Sequence, residues 1–383
     1  MSPGRTRLLL VGAGHVHLEI LRRIIVERPR ELDATIVSLE ERHFYSGMTP
    51  GYLAGQYSVD DISSNVPAIA RRAGAECVIG CAVRLDPAAR TVALQDGRTI
   101  PYDLVSLNIG SLLAGSDGPA SRHAERIKPL HRAAQLKDRL EVLAVGSRDR
   151  AARIVVIGAG AGGVEVACAS AAMMDRAGRP REVTIVDRGD RILTGYGKRF
   201  QSLAERALEQ LGIRRRLGGR VAAVEASRVA LEGGDSLPSD LAIWLTGPQG
   251  AGLLAASGLP VEPRGFLWTE DTLQSVADPR VFAVGDCGTL KHHPTIAKSG
   301  VYAVREAPVL WHNLLATVRC GRLAAYRPQR DFLSILNTAD GRALLRYKGF
   351  NSWSRWAWRL KDRIDRGFMR KYRRLGEQGA GDR

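Results

Sequence analysis

The order of apolar and polar positions divides the chain into short buried runs separated by turn residues, and two stretches carry the same order. Residues 7–40 read RLLLVGAGHVHLEIL and then ATIVSLE, while residues 153–187 read RIVVIGAGAGGVEVA and then VTIVD. Each predicts a buried strand, a glycine turn, an apolar-faced helix and a second strand closed by an acid. Two βαβ units are therefore expected, and internal duplication is the first organisational fact.

Between the units, strand-like runs at Cys77–Leu85, Thr91–Leu94 and Leu104–Ile109 are punctuated by Asp86-Pro87 and Asp96-Gly97. Beyond the second unit, Leu241–Leu245 and Val281–Val284 read as short buried strands, each followed by glycine. A helix is expected near Ala297–Leu315, then a hairpin of Phe332–Leu336 and Ala343–Tyr347 turning at Asp340-Gly341. From Trp353 to Leu375 a further amphipathic helix is expected. Its stripe is Trp353, Trp356, Leu360, Ile364, Phe368 and Tyr372, flanked by Arg355, Arg359, Arg363, Arg366, Arg370 and Arg374.

Composition narrows the class. At 383 residues, 45% hydrophobic and 25% charged, the chain is long enough for a large core and unlike a disordered sequence. The formal charge of +16 is uneven, because residues 346–383 hold twelve Lys or Arg against four Asp or Glu. That tail fits an anionic membrane surface, with nucleic acid not expected as a partner; the competing reading packs its tryptophans on the core. Residues 154–174 are nearly all apolar, but Glu165 and the glycines at 158, 160, 162 and 163 argue against a spanning helix. The first apolar run flows straight into its glycine turn, so no signal peptide is expected. Cysteines at 77, 81, 168, 287 and 320 form no CxxC and suit a reducing, cytosol-facing compartment. Cys77 and Cys81 read as buried apolar residues.

Gly158, Gly160 and Gly163 form an intact G-x-G-x-x-G, and Asp187 closes the next strand. Such glycines allow a tight turn, close backbone approach to a pyrophosphate and close helix packing at a positively polarised helix start. In the first unit Gly12 and Gly14 are present, His17 takes the third glycine position and Glu40 can accept ribose hydroxyls. His15 is counted with the cofactor grip, although His15 and His17 also read as histidines satisfied within the protein. The run Val281 to Asp286 ends in Gly285-Asp286, which places a carboxylate against ribityl or ribose hydroxyls.

With these motifs the sequence resembles the two-dinucleotide-binding-domain flavoproteins, the pyridine nucleotide-disulfide oxidoreductase superfamily. The resemblance implies FAD at the first glycine unit and Gly285-Asp286, and NAD(H) at the second. It also implies domain crossovers at Ile109-Gly110 and Thr246-Gly247. Phe44 to Gly51, including Pro50, and Lys298 to Pro308 look closest to the NADH dehydrogenase-like module that is also found fused to selenide, water dikinase. The C-x4-C pair of the disulfide reductases is missing between Ser46 and Tyr52. By resemblance to type II NADH dehydrogenases, Glu165 lies near the nicotinamide; the competing reading has it complement the dipole in the first helical turn. Lys298 is either a solvated loop lysine or a cation at the flavin pyrimidine edge. Val301 and Arg305 stand where type II dehydrogenases often carry glutamines.

The fold class expected is α/β with two Rossmann-like domains, the second inserted in the first. Residues 1–115 and 246–325 form the FAD-binding domain, 116–245 the NAD(H)-binding domain and 326–383 a hairpin with a basic helix. Expected chemistry is hydride transfer from NADH to FAD and electron delivery to a quinone or other small-molecule acceptor. A cytoplasmic protein, peripheral on the cytoplasmic face of a membrane, follows. A sulfide:quinone oxidoreductase-like enzyme and a non-catalytic flavin redox sensor are the alternatives.

Overall fold

The computed structural model describes residues 4–377. Its frame is two five-stranded parallel sheets that share the order of four strands and differ in the edge strand, which comes last along the chain in one and first in the other. The first runs Val281–Ala283, Leu104–Leu107, Thr6–Val11, Leu32–Ser38, Glu76–Ile79. The second runs Glu125–Arg126, Leu241–Trp244, Ala152–Ile157, Arg181–Asp187, Ile213–Leu217. In both, the strand feeding the glycine turn is central, which is why its residues are apolar on both faces. Leu8–Val11 and Ile154–Ile157 are accordingly buried.

The duplication extends beyond what the repeated motif shows. Each sheet carries a three-stranded antiparallel meander between its third strand and the strand that returns beside the centre. These are Ala82–Asp86, Thr91–Leu94, Thr99–Pro101 in one half and Val221–Val224, Arg228–Leu231, Ser236–Pro238 in the other. Short antiparallel pairing of Leu112–Leu113 with Pro248–Gln249 joins the two crossings.

The first-unit helix is His15–Glu27, the second-unit helix Ala161–Arg176, and a 19-residue helix spans Gly300–Val318. Because Gly160 already caps the second-unit helix, Glu165 falls in its second turn, beyond the reach of the dipole reading. At the C-terminus a third strand, Phe350–Ser354, joins Ser334–Asn337 and Ala343–Tyr347 before the helix Arg355–Glu377.

The largest core cluster bridges both halves. Met48, Tyr52 and Leu53 of the short helix around Pro50 pack with Val164, Ala167 and Met174 of the second unit and Leu344 and Met369 of the C-terminal region. Fully burying each such side chain is worth roughly 1.5–3 kcal/mol. Among the described residues no helix is long and apolar enough to cross a membrane.

Candidate functional site

The first glycine turn is shaped by close contact with a strand end. Gly12 has φ +89°, and a Cβ there would lie 2.6 Å from the Asn108 carbonyl oxygen. A Cβ at Gly14 would lie 2.2 Å from Asn108 Oδ1, and one at Gly285 2.7 Å from Asn108 Nδ2. Asn108 itself accepts from the Val16 amide at 3.2 Å and donates to the Val284 carbonyl at 3.0 Å. One amide thus ties the glycine turn to the Gly285-Asp286 strand end. His17, where a third glycine is usual, is fully buried; its Nδ1 is 2.6 Å from the Gly12 carbonyl and its Nε2 2.8 Å from Ser106 Oγ. Side-chain bonds hold the turn there, and burial lowers the His17 pKa to about 4, leaving the ring neutral.

Across the cleft, Asp286 accepts from Ser111 Oγ at 2.8 Å and lies 3.5 Å from Lys128 Nζ. The Gly285 amide donates to Glu306 Oε2 at 2.5 Å, and burial raises that carboxyl to about 7. Lys298 donates to the Gly288 carbonyl and to Thr289 Oγ1 at 2.8 Å, with its ammonium 4.3 Å from the Phe266 ring centroid. It is an anchored lysine, which sets aside the solvated-loop reading. Gly110 has φ +73° and open space around it, and Gly247 is likewise open. Glu40 is half-exposed beyond the end of its strand, 3.7 Å from His131 Nδ1.

The second turn repeats the contact. Gly158, φ +121°, would place a Cβ 2.2 Å from the Leu245 carbonyl oxygen, and Gly163 would place one 1.8 Å from the Gly158 oxygen. Gly160, the cap residue, faces open space at a helix start that has no side-chain capping bond. Asp187 accepts from the Ala159 and Gly189 amides, both at 2.7 Å, which aims the carboxylate at the turn. Both turns fit a bound dinucleotide in that glycines let each pass close to a strand end at the start of a helix, and Gly160 leaves open space there.

A second group of residues is assembled by the C-terminal helix. Lys361 and Asp365 are buried and 2.9 Å apart; Lys361 also donates to the Gly47 carbonyl at 2.9 Å, and Tyr45 Oη donates to Asp365 Oδ1 at 3.1 Å. Glu165 accepts from the Asn337 amide at 2.7 Å. Burial raises the Glu165 carboxyl to about 7, opposed by the charge of Lys361. The Tyr45 ring lies 5.1 Å from that of His15, so this group adjoins the first glycine turn.

Here the structure divides the expected membrane-facing stripe, because Trp353, Phe368 and Tyr372 turn to the core. Trp356 and Ile364 are exposed, at 48% and 43%, whereas Ala357, Lys361, Asp365, Met369 and Tyr372 are buried. The buried face carries charges because Lys361 and Asp365 neutralise each other one turn apart and distant segments complete their hydrogen bonds. Cys77 and Cys81 are half-buried, short of the full burial expected. Cys168 and Cys287 are buried thiols, pushed up by desolvation, Cys287 to about 11. Asn108, Lys128, Glu306 and Lys361 escaped sequence reasoning. Only Asn108 carried a signal, as one of two polar residues, with Ser106, interrupting the run Leu104–Ile109.

A family model described as pyridine nucleotide-disulphide oxidoreductase matches residues 6–313. A type II NADH:quinone oxidoreductase of Mycobacterium tuberculosis is 26% identical over 344 residues, covering 82% of this chain and 72% of that protein. An NADH dehydrogenase-like protein of Bacillus subtilis is 22% identical, covering 79% and 82%. Among solved structures, the sulfide:quinone oxidoreductase of Aquifex aeolicus superposes with a TM-score of 0.82 at 17% identity, covering 97% of this chain and 92% of that one. That last likeness is one of fold.

Proposed function

Since the chain belongs to the pyridine nucleotide-disulphide oxidoreductase family, we propose that it oxidises NADH through FAD and passes the electrons to a quinone-type acceptor. The observation that carries this is the doubled glycine turn. Gly12 and Gly158 each press on the carbonyl of a neighbouring strand end, and each leads into a helix that begins at a glycine, Gly14 or Gly160. FAD is assigned to residues 1–115 and 246–325, and NAD(H) to 116–245. FAD, when bound, supplies a two-electron carrier between NADH and the acceptor. Gly12, Gly14 and His15 hold its pyrophosphate side, Glu40 its ribose, and Gly285, Asp286, Pro50, Gly110 and Lys298 the remaining walls. Gly158, Gly160, Gly163, Asp187 and Gly247 hold the nicotinamide nucleotide.

Glu165, Tyr45, Lys361 and Asp365 line the acceptor side, where their contribution is to orient the acceptor and hold protons. Sulfide oxidation by paired thiols finds less support, because the five cysteines are all free and the two in the interior, Cys168 and Cys287, are desolvated thiols. Stopped-flow mixing with NADH should bleach the flavin, and a water-soluble quinone should restore it repeatedly. A protein that bleaches once and does not cycle is the redox sensor; one that does not bleach is neither.

The outer face of the C-terminal helix is assigned to an anionic membrane surface on the cytoplasmic side. Exposed Trp356 and Ile364 lie among exposed Arg355, Arg359 and Arg363, and Phe350 contacts Trp356 from the neighbouring strand. Each basic residue contributes about 1 kcal/mol near such a surface. Arg355→Glu with Arg359→Glu should abolish co-sedimentation with phosphatidylserine vesicles at low salt while leaving flavin content unchanged. Unchanged co-sedimentation would leave the helix with only its packing role.

A further inference from the structure

We propose that Glu306 is the charge-compensating carboxyl of the FAD site, taking one proton from water when the flavin is reduced and returning it when the flavin is reoxidised. This rests on the oxidoreductase reading above. Glu306 is the one acid of the helix Gly300–Val318, and it is 7% exposed. Its Oε2 accepts from the Gly285 amide at 2.5 Å, which ties the carboxyl directly to the strand end assigned to FAD. Its Oε1 has no hydrogen-bond partner among the described residues. The side chain lines a cavity of about 20 Å³, room for a single water, together with Asp286, Lys298 and Tyr302.

No ion pair among the described residues neutralises this carboxylate. Lys298, from the segment before the helix, is the cation that acts on it, and that ammonium is already held by the Gly288 carbonyl, the Thr289 hydroxyl and the Phe266 ring. Asp286, on the Gly285–Cys287 turn, repels it. The Cys287 thiol on the same turn, Tyr302 on its own helix, Tyr326 from the segment after the helix and His293 at the cavity are the other titratable groups facing it. Burial raises the carboxyl to about 7, so near neutrality a nearby charge decides whether it holds its proton. A new negative charge in the same desolvated site favours the neutral acid.

Two electrons and one proton reduce FAD and leave it one unit more negative. The Glu306 carboxylate then forms an O–H bond with a proton from water, so cofactor and carboxyl together keep their charge. When the electrons leave for the quinone, that O–H bond breaks and the proton returns to water. Over one cycle NADH, H⁺ and quinone give NAD⁺ and quinol, with Glu306 unchanged. Glu306 touches no reacting atom in this scheme and acts through its charge on the strand end that holds the flavin.

The test uses FAD-loaded wild type, Glu306→Gln and Glu165→Gln, reduced by an electrode. Glutamine keeps an acceptor for the Gly285 amide and cannot take the proton. At pH 8 the slope of midpoint potential against pH should count about two protons per two electrons in wild type and about one in Glu306→Gln. Glu165 is another buried carboxyl raised to about 7 and so the competing source; Glu165→Gln should keep the wild-type count. In the reduced-minus-oxidised infrared difference spectrum, wild type should gain a protonated-carboxyl band that shifts in D₂O and is missing from Glu306→Gln. A wild-type count of about one, a count lost in Glu165→Gln, or a carboxyl band kept in Glu306→Gln would each overturn the proposal. Should Glu306→Gln not retain FAD, wild type and Glu165→Gln decide between the two carboxyls. A loaded wild type that NADH cannot reduce would overturn the parent reading alone, because the electrode still counts the protons; one that binds no FAD would overturn both.

Discussion

Asn108 decides what the first glycine turn tolerates, because its carbonyl and side-chain amide leave no room for a Cβ at Gly12 or Gly14. Gly14→Val should therefore push Asn108 and the turn out of place, and the protein, checked for folding by circular dichroism, should lose its 450 nm absorbance on purification. An equally yellow variant would remove FAD from this turn. Glu306 supports a prediction about pH. Its carboxyl is raised by burial from the ordinary 4.5 to about 7, so between these values the folded state binds more protons than the unfolded one. Stability is then full below about pH 4.5 and lost as pH rises through 7. Glu306→Gln keeps an acceptor for the Gly285 amide and removes the titration. Its melting temperature should fall less than that of wild type between pH 5 and 8, a difference of roughly 2 kcal/mol or less. Parallel melting curves would show that Glu306 does not titrate in that window.

At the scale of elements, the C-terminal helix shows how charge and hydrophobic pattern divide the work. Its span was legible: Trp353–Leu375 was expected and Arg355–Glu377 is observed. Its orientation was only partly legible, since the expected stripe was to lie as a whole on a membrane surface, whereas Trp353, Phe368 and Tyr372 turn to the core and Trp356 and Ile364 face outward. Trp353 and Trp358 do pack on the core, but the deepest positions, Lys361 and Asp365, are charged. They also latch the Tyr45–Gly47 segment, and Lys371 and Tyr372 bind Glu19 of the first-unit helix. Lys361→Ala leaves Asp365 buried beside no cation and should cost about 3–5 kcal/mol, read as a lowered melting temperature. Lys361→Leu combined with Asp365→Leu should recover most of that loss, because no unpaired charge remains. A double variant as unstable as the single would place the loss in packing instead.

For the whole molecule, the thiols divide the two redox readings. Electron transfer from flavin to quinone needs no cysteine, whereas a sulfide route does. Replacing Cys168, Cys287 and Cys320 together by alanine should leave NADH:quinone turnover within about twofold, provided flavin content is unchanged. Loss of acceptor turnover with intact flavin reduction would move the sulfide reading ahead. The two halves repeat more than a motif, because the order of four strands, the meander and the glycine-to-carbonyl contact all recur. A duplicated unit with one occupant class, a dinucleotide, accounts for both.

The sequence by itself determined the α/β class, both glycine turns, their closing strands and the position of the last helix. Each is written within a few dozen consecutive residues, where strand, turn and helix periodicities are set by neighbours along the chain. Tertiary structure alone decided that Asn108 closes the first turn from about 90 residues away, and that Tyr45 meets Asp365 across 320. It also decided that a helix buries its charged face and exposes a tryptophan. Hydropathy scores each side chain against water. Whether a buried pair such as Lys361 and Asp365 is tolerated depends instead on the carbonyl and hydroxyl partners that folding brings to it from remote parts of the chain.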